Sequence, residues 1–317
     1  MNVAKAFFPL AASLLLSGLL VGTTATAADA PKVVVSIKPV HSLVAAVMQG
    51  VGTPDLIVDG AASPHTYALK PSNARSLQQA QVVFWVGPGM EAFLQKPLAS
   101  LGSNATVVEL DQAPGITKLK FREGGAFEPH DDGDEPAAGE DHAHDHEEFD
   151  THLWLDPHNA KAMVAEITTS LVATNPANAL IYEANQKALN DKLDALDTEI
   201  ASTLAPVKNK PFIVFHDAYQ YFEHRYGVRV SGSITVSPET IPGAQRVSEI
   251  HSKVADLGAT CVFAEPQFEP KLVNVVLEGT AAKSGVLDPE AATLPQGPDL
   301  YFTLMRGIAN SLKACLS

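Results

Sequence analysis

The chain has 317 residues, enough for two domains, and its 46% hydrophobic and 18% charged residues are typical of a globular protein rather than a disordered one. Its net charge of −14 argues against a general nucleic-acid binder, which needs a basic surface to neutralise phosphates. Two cysteines are too few for a disulfide-scaffold protein or a four-cysteine zinc site.

The first 27 residues have the pattern of a secretory signal peptide. Lys5 supplies positive charge, residues 6–22 carry no charge, and Ala-Thr-Ala at 25–27 fits the small-residue rule for cleavage. The apolar stretch is interrupted by Pro9 and falls short of the roughly 20 apolar residues that a membrane span needs. We therefore expect export and removal of this segment. Export implies an oxidising compartment, which makes the two cysteines a candidate disulfide.

Strand-like and helical patterns alternate over the first part of the mature chain. Short β-rich runs separated by helical patterns of about ten residues are typical of βαβ units and a parallel sheet. The predicted strands are 33–37, 55–58, 82–86 and 106–110, and the predicted helices between them are 40–49, 72–80 and 91–99.

An acidic segment interrupts this alternation. Residues 128–150 contain eleven carboxylates and no Lys or Arg, so the rest of the chain is nearly balanced in charge. The segment has little to bury, and we expect a flexible loop. Histidines at alternate positions beside carboxylates bind transition metals weakly, although a merely solvated linker is the alternative. These candidate accessory ligands are His130, His142, His144 and His146.

One long helix and a second alternating set of elements follow. Apolar residues spaced four, three, four and four apart predict a helix over 176–205. The predicted strands beyond it are 212–215, 228–230, 261–264 and 285–287, and the predicted helices are 238–257, 270–284 and 298–312. The sequence therefore predicts an α/β fold of two lobes, with parallel-type sheets flanked by helices, joined by one long rigid helix. The predicted lobes are 28–175, which includes the acidic loop, and 206–317.

Four potential metal ligands occupy comparable places in this predicted fold. His65, His216 and Asp288 each follow a predicted strand, and His152 lies just after the acidic loop. Because ligands bind beyond the carboxyl ends of strands in open parallel sheets, one cleft between the lobes could gather all four. Three imidazoles and one carboxylate would form a closed tetrahedral site suited to Zn²⁺. From spacing alone, a turn hydrogen bond or a helix cap remains the alternative for each histidine.

Motifs typical of enzymes are missing from the sequence. It has no GxGxxG after a strand, no phosphate loop, no GxSxG and no HExxH, so we predict that the protein is not an enzyme. The remaining histidines fall on predicted helices or at a helix start without a partner, and we interpret them as structural. These are His41, His158, His224 and His251.

Several motifs in one order resemble the ZnuA family, the periplasmic zinc-binding components of ABC importers within the metal-specific solute-binding proteins. The resemblance runs from about residue 32 to the C-terminus. The motifs are Ser-Pro-His-Thr-Tyr-Ala-Leu-Lys-Pro-Ser at 63–72, Val-Phe-Trp-Val-Gly-Pro at 83–88, Thr-His-Leu-Trp-Leu-Asp-Pro at 151–157, Phe-His-Asp-Ala-Tyr at 215–219, Val-Phe-Ala-Glu-Pro-Gln at 262–267 and Val-Leu-Asp-Pro at 286–289.

The resemblance implies a zinc site at the lobe interface, the His-rich loop, and a disulfide between Cys261 and Cys315. It implies a monomer in the periplasm, without nucleic acid, whose partners are a membrane permease and its ATPase. Carried over motif by motif, the zinc ligands are His65, His152, His216 and, as the fourth, Asp288. Some relatives carry a Glu just before the first histidine, where this chain has Pro64, so the fourth ligand is expected to be Asp288 or water.

Three other functions compete with zinc capture. A manganese-binding relative would favour oxygen donors and places a Glu at the third ligand position, where this chain has His216. A metallohydrolase needs an open coordination position and a base, for which Glu265 is the available candidate. A surface adhesin with the same fold is less consistent with the absence of a cysteine after the apolar run, to which a lipid would be attached.

Overall fold

The structure is a computed structural model that describes residues 1, 29–122, 127, 149–235, 242–256, 258 and 261–317. Residues 2–27 of the predicted signal peptide and the four loop histidines lie outside this part of the chain. Within the described part, the helices are either too short or too polar to cross a lipid bilayer.

The first lobe is built on a four-stranded parallel sheet in the order β2-β1-β3-β4. Its central strands β1 and β3 read Val-Val-Val and Val-Val-Phe-Trp and are buried throughout, as expected when helices cover both faces of a parallel sheet. The elements are β1 (Val33–Val35), α1 (Lys38–Val47), β2 (Asp55–Leu56), α2 (Pro71–Gln79), β3 (Val82–Trp85), α3 (Gln95–Leu101), β4 (Thr106–Glu109) and α4 (Pro157–Thr174).

A long helix, α5 (Ala179–Leu204), joins the two lobes and confirms the prediction. Short 3₁₀ turns extend it at both ends, to a total of 32 residues. It packs against α1 and α4 of the first lobe and against the C-terminal helix of the second. The residues of the predicted apolar stripe are all buried: Leu189, Leu193, Leu196, Ile200 and Leu204.

The second lobe repeats the topology of the first. Its parallel sheet has the order β6-β5-β7-β8, so the first strand of each lobe again lies second in its sheet. In both sheets the strand order reverses beside that first strand, which creates a crevice at the carboxyl ends. The elements are β5 (Pro211–His216), α6 (Gln220–Tyr226), β6 (Arg229–Thr235), α7 (Ala244–Asp256), β7 (Cys261–Ala264), α8 (Lys271–Leu277), β8 (Lys283–Val286) and α9 (Leu300–Leu316).

Glycines in the left-handed conformation explain two local differences from the predicted elements. The helix predicted over 270–284 ends at Leu277, because the chain turns at Gly279 with φ +75° before β8 begins. α6, a seven-residue helix that contains His224, has no bounds among the predicted elements, and Gly227 ends it with φ +65°. A third difference concerns Glu91: its buried side chain accepts hydrogen bonds from the backbone of residues 86 and 87, and α3 starts only at Gln95.

The predicted disulfide is confirmed. Cys261, the first residue of β7, is bonded to Cys315 in the last turn of α9, 54 residues away. A crosslink of this span stabilises the folded state by about 4 kcal/mol in the chain-entropy treatment. It fixes α9, which packs on α5, to the sheet of the second lobe.

Candidate metal centre

His65 belongs to a 3₁₀ turn that follows β2. The turn begins at Ser63, whose hydroxyl accepts a hydrogen bond of 3.3 Å from the His65 N–H, and Pro64 occupies the first turn position. The His65 side chain is only 12% exposed and faces the second lobe. A strand-end turn with a fixed backbone thus places one imidazole at the interface.

His152 is positioned by the base of the acidic loop. The two ends of the loop pair as an antiparallel bridge between Lys120 and Phe149, and the Asp150 N–H donates to the Leu119 carbonyl over 2.9 Å. The Asp150 carboxylate then accepts from the His152 backbone N–H at 2.9 Å and contacts His152 Nδ1 at 2.7 Å. This carboxylate therefore directs the opposite ring nitrogen, Nε2, into the space between the lobes.

His216, the last residue of β5, is oriented in the same manner from a different strand. Glu265, just beyond β7, lies 2.7 Å from His216 Nδ1 through each of its carboxylate oxygens. Both side chains are almost fully buried. Because Nδ1–H donates to Glu265, the unprotonated nitrogen of a neutral His216 is Nε2, which faces the interface.

The three Nε2 atoms converge, and two of the distances between them match the spacing of a tetrahedral metal site. His152 Nε2 lies 3.4 Å from His65 Nε2 and 3.3 Å from His216 Nε2. Zn–N bonds of about 2.0–2.1 Å place neighbouring nitrogens of a tetrahedral site about 3.3–3.4 Å apart. Among the described residues, these three histidines form a group whose ligand atoms all lie within 4.8 Å of one another. When all three Nε2 atoms are unprotonated, their lone pairs face one another, and a cation between them would relieve the repulsion.

Burial and neighbouring charges set the protonation of the cluster in different directions. Burial, together with the other imidazoles, holds the pKa of His65 and of His152 well below the usual histidine value. Burial also lowers the pKa of His216, but the carboxylates of Glu265 and Asp217 outweigh it, and the net pKa is raised. Burial raises the pKa of Asp150 to about 7. Two of the imidazoles are thus neutral and ready to bind a metal at neutral pH.

Asp288, the predicted fourth ligand, lies in the turn after β8 and outside the three-histidine group. Its carboxylate accepts hydrogen bonds from the Gln267 side chain at 3.1 Å and from the Ala292 N–H at 3.0 Å, with a longer contact to the Thr293 N–H. These contacts stabilise the turn. Its assignment as a metal ligand stays a prediction.

Sequence reasoning missed three carboxylates at this site. Asp150 and Glu265 hold histidine Nδ1 atoms, and Glu290 places Oε1 3.9 Å from His65 Nε2 while only 7% exposed. The sequence signal for Asp150 is its position two residues before His152. The sequence suggests Glu265 only as a hydrolytic base, whereas the structure places it on the far side of His216 from the cluster. The only sequence signal for Glu290 is its position two residues after Asp288.

Known proteins share both the sequence and the fold of this chain. The profile of the family described as "Zinc-uptake complex component A periplasmic" matches residues 33–315. The "High-affinity zinc uptake system protein ZnuA" of Brucella suis biovar 1 (strain 1330) is 56% identical over 305 residues, 90% of this chain and 91% of that protein. The Yersinia pestis protein of the same name is 38% identical over 313 residues, 96% of each chain. A crystal structure of ZnuA superposes with a TM-score of 0.75 at 26% identity, over 91% of this chain and all of that one.

Two parallel-sheet lobes joined by a long helix, with histidines from both lobes meeting at the interface, define a metal-specific solute-binding protein. The family comparison agrees with the prediction that the protein is not an enzyme, since its members are solute-binding proteins. The chain belongs to the ZnuA family.

Proposed function

We propose that the protein captures Zn²⁺ at His65, His152 and His216 and delivers it to the membrane permease of an ABC importer driven by its ATPase. The observation that carries the proposal is the convergence of three Nε2 atoms at 3.3 and 3.4 Å. The names of the relatives, proteins of a high-affinity zinc uptake system, support the same function. We further propose that the mature protein acts as a monomer in the periplasm.

The donor set favours zinc over the competing metal. Three imidazole nitrogens suit Zn²⁺, whereas Mn²⁺ prefers carboxylate, carbonyl and water oxygens. A metallohydrolase is disfavoured because Glu265 hydrogen-bonds His216 Nδ1 and is therefore occupied as a positioning group rather than available as a base.

The metal content of the protein purified without added metal tests this function. We expect one zinc per chain, and a chelator competition in which Zn²⁺ binds far more tightly than Mn²⁺. Cu²⁺ is an uninformative competitor, since it binds most nitrogen sites tightly. Preferential retention of manganese would contradict the proposal.

Protons should compete with zinc for the cluster. The raised pKa of His216 means that this ring carries a proton at mildly acidic pH and must lose it to bind metal. Asp150, with a pKa of about 7, also holds a proton that zinc binding at His152 would displace. We expect zinc affinity to fall as the pH decreases from neutral to mildly acidic values. Calorimetry in buffers of different ionisation enthalpy should find more protons released per zinc at pH 6.5 than at pH 8.5, and equal release at both would contradict the assignment.

We propose that the His-rich loop gathers zinc near the cleft without supplying ligands to the main site. Deletion of residues 128–148 leaves Phe149 and Asp150 in place, so the contacts at the foot of the loop that position His152 are retained. Titration calorimetry should find one tight and at least one weaker zinc site in the intact protein, and only the tight one after deletion. The sequence predicts a flexible loop, and we expect its zinc binding to be weaker because it must offset roughly 1–2 kcal/mol of ordering entropy per residue fixed. Loss of the tight site on deletion would show that the loop supplies ligands.

A further inference from the structure

The turn after β8 brings a second acidic side chain, Glu290, to the metal centre from the second lobe. Its Oε1 atom lies 3.9 Å from Nε2 of His65, which belongs to the first lobe. The Glu290 side chain is 7% exposed, so it is almost completely removed from water. A carboxylate in this position lies beside the histidine cluster.

Glu290 is buried and, among the described residues, forms no ion pair with a Lys or Arg side chain. Its ion-pair contact in this part of the chain is the His65 imidazole, and the carboxylates of Glu265, Asp288 and Glu91 add like charge around it. The Lys38 ammonium lies near the same turn but donates to backbone carbonyls. Burying a carboxylate among like charges costs several kcal/mol unless a cation or a proton compensates it. A divalent metal ion at the three Nε2 atoms would supply that compensation.

Asp288, two residues earlier, differs from Glu290 in this respect. Its carboxylate oxygens accept hydrogen bonds from the Gln267 side chain and from the backbone of the following turn. To reach the metal, it would have to release the bonds that hold the turn. The turn therefore contains one acidic side chain with a structural role and one that accepts no hydrogen bond from the described residues.

The backbone on both sides of Glu290 is held from the first lobe. Trp154 Nε1 donates to the carbonyl of Pro289 at 2.8 Å, immediately before Glu290. Immediately after it, the buried Lys38 ammonium of α1 donates to the carbonyls of Ala291, Ala292 and Leu294 at 2.9–3.2 Å. Ala291 adopts φ +58°, a conformation that non-glycine residues rarely adopt and that these contacts stabilise.

We propose that Glu290 supplies the fourth, oxygen ligand of the metal site, and that Lys38 is a positioning residue that holds its turn against the first lobe. The inference deepens the proposed zinc function and rests on it. The 3.9 Å contact with His65 exceeds the edge of about 3.3–3.4 Å in a tetrahedral zinc site, so coordination would require the Glu290 side chain to move inward by a fraction of an ångström.

The first experiment compares Glu290→Gln with Asp288→Asn, which tests the competing assignment of the fourth ligand, using the full chain and a fluorescent zinc chelator as competitor. We expect Glu290→Gln to weaken the tight zinc step by roughly ten- to a hundredfold, less than loss of a histidine because water replaces the oxygen donor. Asp288→Asn should change it less than threefold. The absorption of the Co²⁺-loaded protein, which reports ligand geometry, should change for Glu290→Gln only. A larger effect of Asp288→Asn, or no effect of either, would overturn the inference.

The second experiment is a double-mutant cycle that separates positioning from general stability. Lys38→Met should weaken zinc binding in the parent protein but add little in the Glu290→Gln background, because it acts through that carboxylate. An equal loss in both backgrounds would refute the role of Lys38. Lys38→Gln, which keeps one donor, replaces Lys38→Met if the latter does not fold, as judged by metal-free melting. Failure of the zinc function itself is distinguishable, since the parent protein would then lack a tight zinc step.

Discussion

We expect His216→Ala to weaken the tight zinc site by roughly two to three powers of ten. Structural zinc sites contribute about 10–16 kcal/mol of binding free energy, so one of four ligands accounts for roughly 2.5–4 kcal/mol. The same loss is expected for His152→Ala, whose Nε2 lies within 3.4 Å of both other imidazoles. Competition with a chelator of known affinity measures the change.

The matched control is His224→Ala. His224 lies on α6, eight residues beyond His216, and its side chain is exposed. The substitution should therefore leave zinc binding unchanged. Metal-free melting temperatures should be recorded for each variant, because His216 also hydrogen-bonds Glu265 within the core. If a variant lacking all three histidines retained one tight zinc, the site would have to lie elsewhere.

The fold was predictable because its elements have strong local signals. The buried strands read as short apolar runs, and the long helix has one apolar stripe that becomes buried along its full length. Boundaries were less predictable where a single backbone conformation decides them. Gly279 shortens α8 and Gly227 ends α6, and in each case the left-handed φ is a property of the folded turn.

The convergence of the histidines was predictable only in part. His65 and His216 follow strands, and parallel sheets present strand ends at one edge, so their approach follows from topology. His152 follows the acidic loop instead, so strand topology does not by itself place it with the others. The distances between the three Nε2 atoms depend on two carboxylates that hold the rings. Glu265 is 49 residues from His216 in sequence, and no local pattern reveals such a pair.

The lobe interface shows why ligand assignment by motif alone is incomplete. The motif containing Asp288 lies next to Glu290, and sequence cannot tell which carboxylate is free. Hydrogen bonds from Gln267 and from the turn occupy Asp288, whereas contacts from Lys38 and Trp154 fix the turn that carries Glu290. The proposal of Glu290 over Asp288 therefore rests on hydrogen bonds made by residues outside the motif.

We expect Glu265→Gln and Asp150→Asn to weaken zinc binding by about ten- to a hundredfold although neither residue is proposed to contact the metal. Carboxylates that accept from Nδ1–H orient the ring and raise the basicity of Nε2, and their loss typically costs this much metal affinity. The side-chain amide introduced by Glu265→Gln retains an oxygen that can accept from His216 Nδ1–H, so this variant removes the charge but keeps the hydrogen bond. Glu265→Ala removes both and should cost more. Chelator competition at pH 7.5 measures the series.

The pH dependence of the Glu265→Gln variant separates this role from a general loss of stability. Glu265 raises the pKa of His216, so its neutralisation lowers that pKa and weakens the competition between protons and zinc. The affinity ratio between the parent protein and Glu265→Gln should therefore shrink as the pH falls from 7.5 to 5.5. Glu199→Gln is the control, since Glu199 is half-exposed in a surface ion pair with Arg306. Such surface pairs contribute little to the stability of the folded state. A ratio that stayed constant over this range would mean that Glu265 supports the fold without tuning His216.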